Sequence, residues 1–149
     1  MNSRNCWLLA ITLLILPLCG CSLPPDTARV NQVIDGDTIT IEGGYRIRYI
    51  GIDTPETYPQ LEAFGMEARQ ANCELVAGKV VHLERDVSET DKYGRLLRYV
   101  YVDDIFVNAE LVRQGLAQAK VYPPDTKYQD YLEEMEAEAR EEGRGMWAK

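Results

Sequence analysis

The chain has 149 residues, with 16 Lys and Arg against 24 Asp and Glu and a single His, for a formal charge of −8. That length suits one domain, and 46% hydrophobic with 27% charged residues is the make-up of a globular protein, not of a disordered tail. Four Cys are too few for a disulfide scaffold, and one His excludes a His-rich metal site.

Residues 1–21 read as an export signal. Arg4 gives a short positive start, and an apolar run follows from Trp7 to Leu18, interrupted by Thr12 and Pro17. A membrane-spanning helix needs ~20 apolar residues, so this shorter run fits a signal core. It ends in Leu18-Cys19-Gly20-Cys21, which resembles the bacterial lipoprotein processing box. The resemblance implies a signal peptide over residues 1–20, a lipidated Cys21 at the new N-terminus, and a tether over 21–28. It also implies a lipid-anchored protein of the bacterial cell envelope. Ser22, where an Asp would mark inner-membrane retention, favours the outer membrane. A plain secretory signal cut nearby and an uncleaved anchor are the alternatives. Once Cys6 and Cys19 leave with the signal, Cys73 lacks a partner for an internal disulfide and reads as a half-buried structural residue. The chain from Cys21 onward keeps 15 basic and 24 acidic residues, a net −9.

The mature chain opens with β-prone runs. Arg29 to Ile34 and Thr38 to Glu42 are short strands, the second with the strict alternation of a half-buried strand. Gly43-Gly44 marks a turn. Tyr45 to Ile52 alternates again, with Tyr45, Ile47 and Tyr49 on one side and Arg46, Arg48 and Ile50 on the other. After a loop holding Pro55 and Pro59, the spacing of Leu61, Phe64, Ala68, Ala71 and Leu75 predicts a helix over 61–77, stopped by Gly78. Lys79 to Glu84 and Leu96 to Val102 are strands on either side of a polar loop from Asp86 to Gly94. Asp103-Asp104 turns into Ile105-Phe106-Val107. Asn108 is expected to cap a short helix through Arg113 that ends at Gly115. A long helix over 126–142 would bury Tyr128, Tyr131, Leu132, Met135 and Ala139 and expose Glu133, Glu134, Glu136, Glu141 and Glu142. His82, between Val81 and Leu83, reads as structural. Five or so short strands with a helix after the third predict an α+β domain built on a five-stranded OB-fold barrel with about three helices.

Three segments carry more polar chemistry than a fold requires: Ile34-Asp35-Gly36-Asp37-Thr38, then Arg48 through Asp53-Thr54-Pro55-Glu56, then Asp91-Lys92-Tyr93-Gly94-Arg95. Each alone reads as a turn, a helix-capping loop or a solvated hairpin. Together they hold the parts for metal-assisted phosphodiester cleavage. Carboxylate oxygens suit Ca²⁺, a carboxylate can take a proton from water, and two guanidinium groups can grip a phosphate.

These segments resemble those of the staphylococcal nuclease (thermonuclease) family. The likeness runs from about Ile34 to Trp147 and takes in Val107-Asn108, Leu111 to Ala117 and the closing helix. It implies a five-stranded OB barrel with three helices. It implies Ca²⁺ held by the Asp37 and Asp53 carboxylates and the Thr54 backbone carbonyl, with Asp35 behind them. It implies Glu56 as the residue that activates water, and Arg48 and Arg95 on the phosphate being cleaved. Lys92 and Tyr93 fall where the family contacts a terminal phosphate, and Tyr122 near the nucleotide-side tyrosines. The implied reaction is endonucleolytic hydrolysis of DNA and RNA at the P–O5′ bond, leaving 3′-phosphate ends, by a monomer.

The chain departs from the family pattern at four places. The mature domain is acidic, which predicts weaker and more salt-sensitive binding of long DNA. The loop from Thr57 to Leu61 is short, Leu96 follows Arg95 where a small residue is common, and Lys120 stands near an expected substrate-side tyrosine. The readings from other classes are a non-catalytic OB module of the envelope that binds nucleic acid or protein, and a structural Ca²⁺ clamp. The first tends to lose the carboxylates and arginines retained here, and the second leaves Arg48 and Arg95 without a task.

Overall fold

A computed structural model describes residues 23–148. The expected signal peptide, Cys21 and the start of the tether lie outside the described residues. In chain order the elements are β1 (Thr27–Asp35), β2 (Thr38–Ile41), β3 (Arg46–Tyr49), β4 (Ile52–Asp53), α1 (Gly65–Val76), β5 (Val80–Glu84), β6 (Leu96–Val102), β7 (Ile105–Phe106), α2 (Val107–Arg113), β8 (Gln118–Ala119) and α3 (Gln129–Glu141).

Five strands close a mixed barrel in the order β3-β2-β1-β5-β6, and a parallel β3–β6 pairing makes the seam. The expected OB architecture is therefore present, with its three helices. Alternation drives it: Ile39, Ile41, Ile47, Tyr49, Val81, Leu83, Val100 and Val102 all point into the core and are buried. β1 is shared between two partners. Thr27 to Arg29 pairs with β5, Val30 to Asp35 with β2, and two register shifts let the strand bend from one to the other. Among the described residues no helix is long and apolar enough to cross a membrane.

Several expected boundaries move, each for a local reason. β1 starts at Thr27 rather than Arg29, because Ala28 is buried opposite Val81. The alternation over 45–52 is two strands, since β3 ends at Tyr49 and Gly51 adopts φ +76 before β4 pairs with β8. α1 begins at Gly65, not Leu61. Phe64 is left-handed at φ 68, so the chain is not helical there, and Leu61 stays 60% exposed. The fully buried positions of α1 after Gly65 are Ala68, Asn72 and Val76, while Ala71 and Leu75 are only partly covered.

Asn108 is not a cap. It sits inside α2, fully buried, accepting from the Val100 N–H at 3.0 Å and donating to the Ile50 carbonyl at 2.8 Å. It ties the barrel to the helix that packs on it. α3 begins three residues later than expected. It buries Leu132 and Ala139 but leaves Tyr131 nearly half exposed against the Phe106 ring. Glu136, expected on the wet face, is half-buried, receives the Ala119 N–H and pairs with Arg140. His82 lies on the exposed face of β5 beside the Tyr101 ring, and Cys73 is free and half-buried against the core.

Candidate active site

The turn between β1 and β2 carries the first two carboxylates. Gly36 is required there by space: a Cβ would stand 2.7 Å from Thr54 Oγ1. The close approach brings the turn against the segment after β4. Asp37 is almost buried, and its carboxylate accepts from the Thr54 N–H at 3.1 Å and the Thr38 hydroxyl at 2.9 Å. Behind Asp35, the buried Asn72 donates to the Asp35 carbonyl at 2.9 Å and accepts from the Tyr49 hydroxyl at 2.8 Å. Burial pushes that hydroxyl's pKa far up, so it remains a donor.

Arg48 rises from β3 between two carboxylates. Its Nη2 lies 3.1 Å from Asp37 Oδ2 and 2.8 Å from Asp53 Oδ1. Its Nη1 donates to the carbonyls of Tyr49 at 2.7 Å and Ile52 at 2.9 Å. The guanidinium is therefore fixed by backbone on one side and by acid on the other. Asp53 ends β4, held by β8, and its second oxygen receives Lys120 Nζ at 2.6 Å. That contact holds Lys120 protonated well above its usual range.

Glu56 follows β4 in an exposed loop that α1 supports from below. A Cβ on Gly65 would meet the Glu56 carbonyl at 2.6 Å, and the Glu56 N–H donates to Glu62 at 3.0 Å. Partial burial, a shared hydrogen bond with Asp35 and the charges of Asp35, Asp37 and Asp53 raise the Glu56 carboxyl to about 7. Arg95 stands across the opening, shaped by Asp91. One Asp91 oxygen accepts the Tyr93 and Arg95 N–H groups at 2.9 and 3.0 Å, and the other takes Arg95 Nε at 2.7 Å. Burial opposes the Asp91 charge, but the Arg95 hydrogen bonds outweigh it and hold the carboxyl below its ordinary range.

One cavity of about 740 Å³ collects these groups: Asp35, Asp37, Arg48, Asp53, Glu56, Lys92, Tyr93, Arg95 and Tyr122 all line it. Thr54 is the one predicted residue within the described range that does not, being buried one layer behind with its N–H on Asp37. The lining carries six carboxylates (Asp91 and Asp125 are the others) against four cations, Arg46, Arg48, Lys92 and Arg95. That excess of carboxylates favours a cation over an anion in the cavity. The donor chemistry fits a hard divalent cation, with oxygen ligands and no sulfur or imidazole. Among the described residues no three His, Cys, Asp or Glu side chains converge as a closed metal cage.

The sequence reading missed three residues here. Tyr58 lines the cavity at 81% exposure, beside Tyr93 at 72% and Tyr122 at 38%. The three rings come from three loops and leave part of their surface open to solvent. An aromatic next to Pro59, two residues from Glu56, was the available signal. Asn72 gave none, because it sits in a helix whose polar face reads as wet. Asp125, nearly buried, accepts the Val87 and Ser88 N–H groups at 3.0 and 2.7 Å and fastens the far wall.

Residues 46–149 match the family model described as staphylococcal nuclease homologue. The chain belongs to the staphylococcal nuclease family. It is similar to the thermonuclease of Staphylococcus intermedius, 40% identical over 124 residues that cover 79% of this chain and 74% of that protein. It is similar to the thermonuclease of Staphylococcus hyicus, 37% identical over 128 residues, 82% of this chain and 76% of the relative. It is also similar to the endonuclease YncB of Bacillus subtilis, 42% identical over 128 residues, 80% of this chain and 61% of the relative. Of the cavity's carboxylates, Asp37 and Asp53 touch Arg48, and Asp53 also meets Lys120.

Proposed function

We propose that this nuclease is a Ca²⁺-dependent endonuclease hydrolysing DNA and RNA to 3′-phosphate ends, with Glu56 as base and Arg48 and Arg95 on the phosphate. The observation that carries it is the single cavity in which two arginines and four carboxylates of the expected set meet. Asp37, Asp53 and the Thr54 carbonyl would hold the cation, with Asp35 stabilising the arrangement from behind. When bound, the cation supplies positive charge that offsets the phosphate and lowers the cost of its developing charge.

The chain's own groups do the rest. Glu56 takes a proton from the attacking water as the new P–O bond forms. The P–O5′ bond breaks, and the departing 5′ oxygen takes a proton from solvent water. Arg95 Nη groups, left over by the Asp91 contact, donate to the phosphoryl oxygens. Arg48, held through Nη1 by its two carbonyls, presents its fixed positive charge to the phosphate. Forked donors aimed at growing charge contribute on the order of 10²–10³ in rate apiece. Lys92 and Tyr93 contact a neighbouring phosphate, and the Tyr58, Tyr93 and Tyr122 rings receive unpaired bases.

The test is cleavage of a single-stranded DNA and a single-stranded RNA by the purified protein, with Ca²⁺ and with chelator. Cleavage in Ca²⁺ that stops in chelator, yields 3′-phosphate ends and falls about 10²–10⁴-fold in Glu56→Gln supports the reading. Binding without cleavage under all conditions would overturn it in favour of a non-catalytic module. We further propose that Cys21 is lipidated and holds a monomeric enzyme on the bacterial envelope, on the outer membrane where there is one. Cys21→Ser then moves the protein from the membrane fraction to the soluble one.

A further inference from the structure

Lys120 is held differently from the arginine it sits beside. Its ammonium lies 2.6 Å from one oxygen of Asp53, while Arg48 takes the other oxygen at 2.8 Å. Arg48 is pinned, with an 11% exposed side chain and two backbone carbonyls on Nη1. The Lys120 side chain is 50% exposed, and its other near neighbour among the described residues is the Tyr122 ring, 5.6 Å away. Its backbone is fixed, because its N–H donates to the Gly51 carbonyl at 2.9 Å and β8 pairs with β4 immediately before it. The root of this side chain is thus locked next to Asp53, while the charged end is free to leave. The sequence marks the same residue as a departure, a cation near where the family pattern has a tyrosine.

We propose that Lys120 is a tethered counter-ion that competes with the divalent cation for Asp53 and so lowers the affinity of the site for it. The inference rests on the reading of Asp37 and Asp53 as cation ligands. An ammonium at hydrogen-bond distance from a carboxylate repels a divalent cation approaching the same group and offsets the charge that would attract it. Arg48 remains in place through its carbonyls, so Lys120 is the cation that moves. With Lys120 in place the wild-type site binds metal less tightly than its carboxylates alone would.

Calorimetric titration of CaCl₂ into the full-length protein, without nucleic acid, tests this. Lys120→Met and Lys120→Gln each bind Ca²⁺ about ten-fold more tightly than wild type, as expected for removing one adjacent unit charge. Lys120→Arg, which keeps the charge, stays within about three-fold of wild type. Asp53→Asn loses binding. If Asp53→Asn loses binding but both charge-removing variants match wild type or bind more weakly, the role of Lys120 is overturned and the cation site stands. If Asp53→Asn binds as wild type does, or if neither wild type nor the Lys120 variants bind Ca²⁺, both readings fall together.

Discussion

Arg48 and Asn108 show what a residue's neighbours decide. Arg48 was legible because an arginine in a strand, two acids beyond it, is costly unless something uses the charge. Asn108 was not legible, because an Asn ahead of a helical run reads as a cap, and only the folded barrel brings the Val100 N–H and the Ile50 carbonyl to it. Removing it leaves a donor and an acceptor unpaired in a dry interior. Asn108→Ala is expected to cost about 2–4 kcal/mol of stability, the penalty of two stranded backbone groups. Urea denaturation reads this as a lower midpoint at unchanged slope. Asn72→Leu is expected to cost about 2–3 kcal/mol, since the buried Tyr49 hydroxyl is stranded in full while the Asp35 carbonyl is only part-buried.

Among the elements, strands read most directly. β6 runs from Leu96 to Val102, and the sequence predicts both ends, because a run rich in β-branched and aromatic residues is bounded there by a polar loop and by Asp103-Asp104. The start of α1 was hidden, because the left-handed Phe64 is set by packing of the 55–65 loop and not by its own side chain. The three chemical segments were visible as residues, but their meeting depended on the barrel closing β3 against β6 and on Asp91 shaping its loop. That loop carries its own pH signature. The folded Asp91 carboxyl titrates below its ordinary 3.8. A depressed acid stabilises the fold fully above the ordinary value and loses that contribution as pH falls through the lower folded one. Asp91→Asn is therefore expected to melt several degrees below wild type at neutral pH. The gap should close as the pH drops below the aspartate range, and a thermal melt series from neutral to strongly acid pH checks both ends. Arg95 would lose its Nε partner in the same variant, so kcat should fall at neutral pH while the barrel stays folded.

At the scale of the whole molecule the question is how an acidic domain meets a polyanion. From Cys21 onward the net charge is −9, yet none of the residues lining the cavity comes from α3. Glu133, Glu134 and Glu141 of α3 are exposed. They act on substrate at long range only, through the field that an approaching strand crosses. Their repulsion should slow encounter and leave the bound complex alone. The triple variant Glu133→Gln, Glu134→Gln, Glu141→Gln is thus expected to raise kcat/KM several-fold at low ionic strength, with kcat unchanged. Above about 0.1 M salt, where charges more than ~10 Å apart are screened, the gain should vanish. A change in kcat, or a gain that persists in high salt, would mean that α3 reaches the reacting groups and does not merely face away from them. The Lys120 side chain provides the contrast within the same molecule. Its effect is exerted at 2.6 Å from Asp53, inside any screening length, so it should survive the salt that abolishes the α3 effect.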